Sequence, residues 1–266
     1  MGRRTGDETR ALLLRVGMQM LLERGVSAGV QHIRLQEVLR RAGLTTGAAY
    51  RLWADQNDYQ RDLAVAMVRL RLSSPADYAR VAVDKLIADG ARGDDIIRAA
   101  AEAHVRTSAV DVTDPTDAVD AQQFLIALAL RTTADTWPEL KEASRQRHHE
   151  SIAAFAEFYA YLMEAYGLRM KTPLTVTDFT EAMAAMGEGF AVRAMEGLEH
   201  PVYHAAEDDD VPTGEWTLFA LGVRALVNEF MTPIDAAARM PFADAPVTPE
   251  TPIAPAPDGG GSSGVG

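Results

Sequence analysis

Side chains suited to contacting a phosphodiester backbone are concentrated in one short stretch near the N-terminus. They are two hydroxyls, two very small residues, a phenol and a guanidinium, supplied in order by Thr45, Thr46, Gly47, Ala48, Tyr50 and Arg51. Small residues let the start of a helix approach a phosphate closely, and the free backbone N–H groups there attract an anion. Hydroxyl, phenol and guanidinium groups all donate hydrogen bonds to phosphate oxygens. The stretch therefore predicts a contact with nucleic acid.

No comparable pattern indicates catalysis or metal binding. The chain has no cysteine, which excludes disulfides, thiolate ligands and cysteine nucleophiles. No Ser-His-Asp order, glycine-rich phosphate loop or paired-carboxylate motif stands out. His148, His149 and Glu150 are consecutive and diverge on a helix, while Pro201 argues against a regular helix spanning His200 and His204. We therefore expect no enzyme activity, no cofactor and no metal ion.

The elements that position the phosphate-contacting stretch are predicted to be helices. Hydrophobic periodicity indicates a helix over residues 10–24 and a short one over about 35–42. Gly43 can take a left-handed conformation, and a threonine can cap a third helix over about 46–53. Another helix should run from about 57 to 72. A helix, a brief turn and a second short helix form a helix-turn-helix, whose second helix enters the major groove of DNA.

Charge is divided unevenly along the chain. The formal net charge is −12, yet residues 1–71 hold twelve arginines, no lysine and seven acidic residues, which leaves +5 there and −17 elsewhere. A basic end on an acidic body is what a localised phosphate-binding surface would look like. The alternative is that the arginines simply cover solvated helix faces.

The run from Glu37 to Trp53 (EVLRRAGLTTGAAYRLW), with the helix that opens at Asn57, resembles the DNA-binding signature of the TetR family of transcription regulators. Residues 10–25, which end in Glu-Arg-Gly, resemble that family's first helix. The resemblance covers about residues 10–65. It implies an all-α homodimer that binds a double-stranded DNA operator, more often as a repressor, and responds to a small-molecule effector.

Three positions depart from the family's pattern, because Ala48, Leu52 and Gln56 stand where polar or cationic side chains commonly touch phosphate. Fewer cationic contacts weaken the salt-dependent part of DNA binding, so we expect weaker binding or greater reliance on Arg3, Arg4, Arg34 and Arg51. Ala49 and Trp53 should face the core. The DNA-binding set is predicted to be Arg34, Thr45, Thr46, Gly47, Ala48, Tyr50, Arg51 and Gln56. The alternative is a three-helix scaffold without DNA affinity.

The rest of the chain is predicted to be helical, with no convincing strand. Helices are expected near 76–89, 94–109, 117–134, 138–166, 178–198 and 214–231. Asp178 with Glu181, and Thr213 with Glu215, could start the last two. Seven prolines from Pro233 to Pro257 precede a glycine-rich end, which predicts disorder over about 242–266. The predicted domains are residues 1–55, 56–232 and a tail, 233–266.

The resemblance implies that the last two long helices form a dimer interface. Their apolar faces are Phe179, Met183, Met186, Phe190 and Val192, then Leu218, Leu221, Leu226 and Phe230. Ordinary packing within one chain is the alternative for these residues.

An apolar and aromatic set in the two preceding helices could line an effector pocket: Phe124, Leu128, Trp137, Phe155, Phe158 and Tyr159. An aromatic stripe at helical spacing is also what a plain core looks like, so both interpretations stay open. Met1 to Arg10 is polar and no run reaches a membrane span, which predicts a cytoplasmic protein. Two alternative functions are a helical ligand-binding or interaction protein with a degenerate DNA-binding head, and a helical enzyme.

Overall fold

The computed structural model describes residues 4–25, 29–70, 75–108 and 115–234, and these residues form a predominantly helical protein. The all-α fold class that the periodicity predicts is confirmed. The helices in the described residues are α1 (Gly6–Arg24), α2 (Leu35–Arg41), α3 (Thr46–Ala49), α4 (Gln56–Arg69), α5 (Pro75–Ala88), α6 (Gly93–Ser108), α7 (Pro115–Thr132), α8 (Pro138–Ala165), α9 (Val176–Met195) and α10 (Leu218–Phe230).

Helix α1 begins four residues earlier than the periodicity suggests, because a capping box extends it. The Thr5 hydroxyl accepts a hydrogen bond from the Glu8 N–H, and the Glu8 carboxylate accepts one from the Thr5 N–H. Together these bonds satisfy backbone donors that the first turn leaves free. Gly17 lies where α1 meets α4, and a side chain there would collide with the Tyr59 hydroxyl.

The four N-terminal helices enclose one hydrophobic cluster, which we call the head core. It is built on buried residues of α1 to α4, among them Leu13, Met20, Val38, Leu63 and Met67. Ile126 and Leu130 of α7 and Leu140 and Ala143 of α8 belong to the same cluster. The predicted boundary between residues 55 and 56 lies at the start of α4. This helix packs both on α1 of the head and on α7 and α8 of the body.

The end of α4 is fixed to the body by side chains from two other helices. Arg147 of α8 donates hydrogen bonds to the carbonyl oxygens of Val68 and Leu70, at 2.7 and 2.9 Å. The Gln123 amide of α7 donates to the Leu70 carbonyl at 2.8 Å. The last carbonyls of a helix have no partner within the helix, so these bonds both satisfy them and set the position of α4.

Four short strands correct the expectation of a body without strands. They are β1 (Leu168–Met170), β2 (Val202–Ala205), β3 (Gly214–Thr217) and β4 (Met231–Pro233). β1 pairs antiparallel with β4, and β2 pairs antiparallel with β3 to form a hairpin. Strands of three or four residues are too short to show a clear alternation of apolar and polar residues, which is why the pattern missed them.

The last two helices begin at residues other than those predicted. Because Gly214–Thr217 is extended, α10 begins at Leu218 with Thr217 as its cap, so the predicted start at Thr213 was wrong. α9 is capped by Thr175, whose hydroxyl accepts from the Asp178 N–H. Asp178 is thus the third residue of that helix and not its cap.

The body behind α4 has its own core, built where α6, α8, α9 and α10 meet. Its largest fully buried side chains are Trp216 and Phe179, packed with Phe219 and Val223. Within the described ranges, no helix is long and apolar enough to cross a membrane. The predicted disordered segment, 242–266, lies outside the described residues.

Candidate nucleic-acid interface

The turn between α2 and α3 has the geometry that the sequence predicts. Gly43 takes a left-handed backbone, with φ of 66°, a conformation that glycine adopts at little cost. The Leu44 N–H reaches back to the Leu39 carbonyl at 2.9 Å and the Gly43 N–H to the Arg40 carbonyl at 3.2 Å. These bonds end α2 and redirect the chain within three residues. The predicted tight turn is confirmed.

Helix α3 is shorter than predicted, covering Thr46–Ala49 instead of 46–53. Thr45 occupies the cap position with an extended backbone, but its hydroxyl makes no capping bond. Beyond Ala49 the chain forms a turn, in which the Trp53 N–H still bonds the Ala49 carbonyl at 3.1 Å. Four helical residues span only about 6 Å, so a helix dipole contributes little here, and any phosphate contact would depend on exposed side chains.

The inner face of this unit is held firmly. Ala49 and Trp53 are buried, as predicted. The Trp53 indole N–H donates to the Asp62 carboxylate at 2.6 Å, and Arg10 of α1 donates to the same oxygen at 2.6 Å. The Tyr59 ring packs edge-on against the Trp53 ring, with the ring centroids 5.0 Å apart. These contacts fix which side of α3 points outward.

The outer face presents most of the predicted DNA-binding set to solvent. Tyr50 is 70% exposed, and Arg34, Thr45, Thr46, Gly47 and Arg51 are exposed as well, while Ala48 is half-buried. No atom lies within 4 Å of the place where a Gly47 side chain would begin. Packing within the chain therefore does not require glycine at this position, and a close approach from outside is open.

The arginines of the head divide into two groups. Four of them form ion pairs within the chain: Arg10 with Asp62, Arg24 with Glu37, Arg41 with Glu23 and Arg61 with Asp58. The Arg41 guanidinium holds the pKa of Glu23 below its usual value, and Arg24 does the same for Glu37. Among the head arginines that the structure describes, those whose side chains make no ion pair or hydrogen bond are Arg4, Arg15, Arg34, Arg40, Arg51 and Arg69.

Gln56 has a structural role that the sequence analysis missed. Its side-chain oxygen accepts from the Leu35 N–H at 2.8 Å, and its side-chain nitrogen donates to the Ile33 carbonyl at 2.9 Å. The amide thereby caps α2 from the first turn of α4, since the cap residue Arg34 makes no capping bond with its own side chain. A phosphate contact by Gln56 stays a prediction, although one donor and one acceptor of its amide are already in use.

The six residues predicted to line an effector pocket do not come together. Phe124 and Leu128 pack with Ala191 of α9, whereas Trp137 packs against the head core. Phe155, Phe158 and Tyr159 belong to a further cluster with α5. These side chains serve separate hydrophobic clusters because they lie on different faces of α7 and α8, so the set does not form one lining.

A polar cavity of about 360 Å³ lies instead between the start of α6 and the loop that joins β2 to β3. Its charged lining residues are Arg92, Asp94, Asp95, Arg98, Glu207 and Asp209. Asp94 is buried and accepts a hydrogen bond from Arg224 at 3.2 Å, and burial raises the pKa of its carboxyl in spite of that arginine. No sequence pattern predicts this cavity, because its walls lie more than a hundred residues apart along the chain, as the hydrogen bond from Arg98 to the Thr213 carbonyl shows.

The helices predicted for a dimer interface turn much of their apolar surface into the chain itself. α9 and α10 pack against each other, with Phe179 and Phe219 buried and Met183, Met186 and Phe190 packed against the same cluster. Leu218 is the exposed member of the predicted faces, at 39%. Packing within one chain, the alternative left open by the sequence, therefore accounts for most of these residues.

Two of the histidines considered as metal ligands, His148 and His204, each lie beside one carboxylate. His148 of α8 lies 3.0 Å from both carboxylate oxygens of Glu181 on α9. His204 of β2 lies 3.6 Å from the Glu215 carboxylate on β3. In the part of the chain that the structure describes, no group of three or more histidine and acidic side chains is arranged to hold a metal ion.

Comparisons with known proteins add little to this geometry. No family model matches the chain, and no curated protein does. Among solved structures, the chain is similar to a crystal structure described as a candidate TetR-family transcriptional regulator from Rhodococcus sp., with 16% identity over 72% of this chain and 90% of that chain. The TM-score is 0.41, a similarity too low to transfer a family or a function.

Proposed function

We propose that this protein is a transcription regulator that binds double-stranded DNA through its α2–α3 unit. The observation that carries the proposal is the outer face of this unit, where the exposed ring of Tyr50 stands beside Arg51. Neither Arg51 nor Arg34, the cap residue of α2, makes a side-chain ion pair or hydrogen bond in the described residues. A cation without an internal partner can contact a phosphate without first breaking an ion pair.

The local sequence supports the same proposal. The turn at Gly43 and the inward anchors Ala49 and Trp53 agree with what the residue pattern of a helix-turn-helix predicts, and residues 37–53 also resemble the DNA-binding signature of the TetR family. A unit this small touches few bases, so binding as a homodimer to a palindromic operator is part of the proposal. We further propose a cytoplasmic repressor without catalytic activity, whose DNA affinity changes when a small molecule binds the helical body.

Affinity for mixed-sequence DNA at two salt concentrations tests the DNA-binding step. Between about 50 and 200 mM salt, a regulator should lose affinity steeply, because each phosphate contact releases counterions. No detectable binding even at the lower concentration would refute the proposal. Selection of bound sequences from a random DNA pool then identifies the operator.

The double variant Tyr50→Ala with Arg51→Ala tests the placement of the interface. We expect it to keep its helical circular dichroism spectrum and to lose operator binding. The matched control is Tyr203→Ala with Arg193→Ala, which removes the same two exposed side-chain types from the body. Operator binding that survives the first change, or fails equally in the control, would contradict this placement of the interface.

One observation favours the alternative function, a helical ligand-binding or interaction protein with a degenerate head. Four head arginines are already paired with carboxylates, and α3 has only four helical residues. The polar cavity beside α6 would then be the functional centre. Undiminished ligand binding in a protein that shows no DNA affinity at low salt would establish this alternative.

A further inference from the structure

The hairpin formed by β2 and β3 combines exposed apolar side chains with dense negative charge. Val202 and Tyr203 are each 47% exposed, and Leu218, which follows β3 directly, is 39% exposed. Residues 194–223 contain seven acidic residues and no lysine or arginine. Glu196 and Glu199 precede β2, Glu207, Asp208, Asp209 and Asp210 lie in the loop between the strands, and Glu215 lies in β3.

The two strands of the hairpin differ in their surroundings. β3 faces the body, where Trp216 is fully buried and donates its indole N–H to the Pro212 carbonyl at 2.6 Å. β2 lies on the outside, with Val202, Tyr203 and His204 all exposed. In the described ranges β2 pairs with β3 alone, so its other edge faces solvent.

The register shows which backbone groups lie on that free edge. Leu218 donates its N–H to the Pro201 carbonyl at 2.9 Å, and the next facing pairs are Val202 with Thr217 and Tyr203 with Trp216. In an antiparallel ladder, hydrogen-bonded pairs alternate with pairs that are not bonded. Tyr203 therefore bonds to Trp216, while the N–H and C=O groups of Val202 and His204 point away from β3.

We propose that this edge binds an extended, cationic segment of another protein, which adds a third strand beside β2. The free groups of Val202 and His204 supply the backbone hydrogen bonds by which an edge strand captures a peptide. Val202 supplies an apolar contact on one face of the hairpin, and Tyr203 on the other. The acidic residues at both ends of β2 select a partner rich in lysine or arginine.

Charge argues against a second copy of this chain as the partner. Whether two β2 strands pair parallel or antiparallel, acidic residues such as Glu199 and Glu207 of one copy come to lie near acidic residues of the other. Like charges facing each other across a pair of strands are destabilising. The bodies also carry the same negative charge, −17 outside residues 1–71. A cationic partner is attracted by the same acidic residues that repel a second copy of the chain.

Binding of a fluorescein-labelled peptide of alternating lysine and valine, followed by anisotropy with the full chain, tests the proposal. A peptide with proline in place of valine has the same charge but cannot form a strand. We expect the valine peptide to bind and the proline peptide to bind at least about tenfold more weakly, since the backbone N–H groups of the valine residues are lost. Equal binding of the two peptides would reduce the interaction to charge attraction and overturn the proposal.

Two pairs of variants locate the site. A triple variant of the loop, Asp208→Asn, Asp209→Asn and Asp210→Asn, should weaken peptide binding about tenfold. The matched control removes the same charge from other exposed positions, by Asp89→Asn, Glu157→Gln and Glu164→Gln, and should change peptide binding little.

The second pair of variants tests the backbone of β2. His204→Pro removes an outward N–H, and His204→Ala keeps it. Of these two, we expect only His204→Pro to bind the peptide more weakly. If the two members of either pair lost the same affinity for the peptide, the β2 edge would not be its binding site.

Hydrogen exchange on the unsubstituted protein gives a direct readout even where His204→Pro loosens the hairpin. The amides of Val202 and His204 should exchange quickly in the free protein and slowly with the valine peptide bound. The Tyr203 amide, already bonded to β3, should change less. Unchanged exchange at Val202 and His204, or a dimer in sedimentation that His204→Pro dissociates, would overturn the proposal. None of these readouts depends on DNA binding by the head.

Discussion

The α2–α3 unit and the β2–β3 hairpin are built on the same plan with opposite charges. Each is anchored by a buried tryptophan with a bonded indole N–H, Trp53 to Asp62 and Trp216 to the Pro212 carbonyl, both at 2.6 Å. Each exposes a tyrosine, Tyr50 or Tyr203. Arg51, whose side chain makes no ion pair or hydrogen bond within the described ranges, follows the first directly, whereas acidic residues precede and follow the strand that carries the second.

The comparison teaches that anchoring and recognition are carried by different residues. A buried indole fixes the orientation of a small element that could not hold its position alone, because few of its own residues are buried. The exposed residues are then free to differ in charge, and charge decides which partners are attracted. The same plan thus yields a proposed phosphate-contacting surface at one place and a proposed cation-selecting edge at another.

Removing either anchor should have the largest effect. We expect Trp53→Ala and Trp216→Ala each to lower the free energy of unfolding by about 3–5 kcal/mol, since each opens a cavity in a core. Urea unfolding followed by circular dichroism measures this, and Trp137→Ala, at a half-buried position, should cost less. If Trp53→Ala cost no more than Trp137→Ala, the shared plan would fail for the head.

The joint between the two parts is expected to contribute the next largest effect. Arg147→Met keeps most of the side-chain length but leaves the Val68 and Leu70 carbonyls without its hydrogen bonds, which should cost about 1–3 kcal/mol. Arg145→Met, two residues earlier on α8 and exposed, is the matched control. Equal unfolding free energies for the two variants would show that water replaces Arg147 at the end of α4.

Sequence reasoning succeeded where structure depends on neighbouring residues. Gly43 marks a turn because of its own backbone freedom, and the inward positions of Ala49 and Trp53 follow from helical spacing. The hairpin escaped notice because its strands have four residues each and their pairing depends on partners beyond a loop. The structural role of Gln56 could not be predicted, because its bond to Leu35 joins residues 21 apart in the sequence.

The predicted effector residues are distributed over separate clusters for a related reason. Helical spacing shows which residues of α7 and α8 are apolar, but not which neighbouring helix each apolar face meets. Phe124 meets α9, whereas Phe158 meets the cluster with α5. A cavity lined by charges, such as the one beside α6, has no periodicity at all. Both features depend on tertiary packing, which a single sequence does not specify residue by residue.

The division of head arginines into paired and unpaired groups makes a prediction about salt. Arg51→Ala should weaken operator binding about tenfold and reduce the slope of log affinity against log salt by about one, as expected for a lost phosphate contact. Arg61→Ala removes an arginine that is paired with Asp58 and should leave the slope nearly unchanged. Equal slopes for the two variants would mean that internal pairing does not decide which arginines meet DNA.

The smallest effect we predict concerns pH and belongs to the body alone. The His104 ring stacks on the Phe219 ring and the His200 ring on the Phe190 ring, with centroids 4.5 and 5.1 Å apart. The two phenylalanine rings meet edge-on with centroids 5.2 Å apart. Burial lowers the pKa of both histidines from 6.5, with a further lowering of His104 by His200 and of His200 by Arg193. The folded protein therefore holds both rings neutral where the unfolded chain would protonate them.

A base whose pKa is lowered by folding contributes stability above its unfolded pKa, and that contribution is lost as pH falls from 6.5 toward the folded value. The unfolding free energy should therefore fall on acidification through this window, measured above about pH 5 so that most carboxylates stay ionised. His104→Gln, which keeps a donor for the Gly187 carbonyl, should flatten the decline. If neither it nor His200→Gln changed the slope, the acid sensitivity would arise elsewhere, and the aromatic stack would be a site of packing without a role in titration.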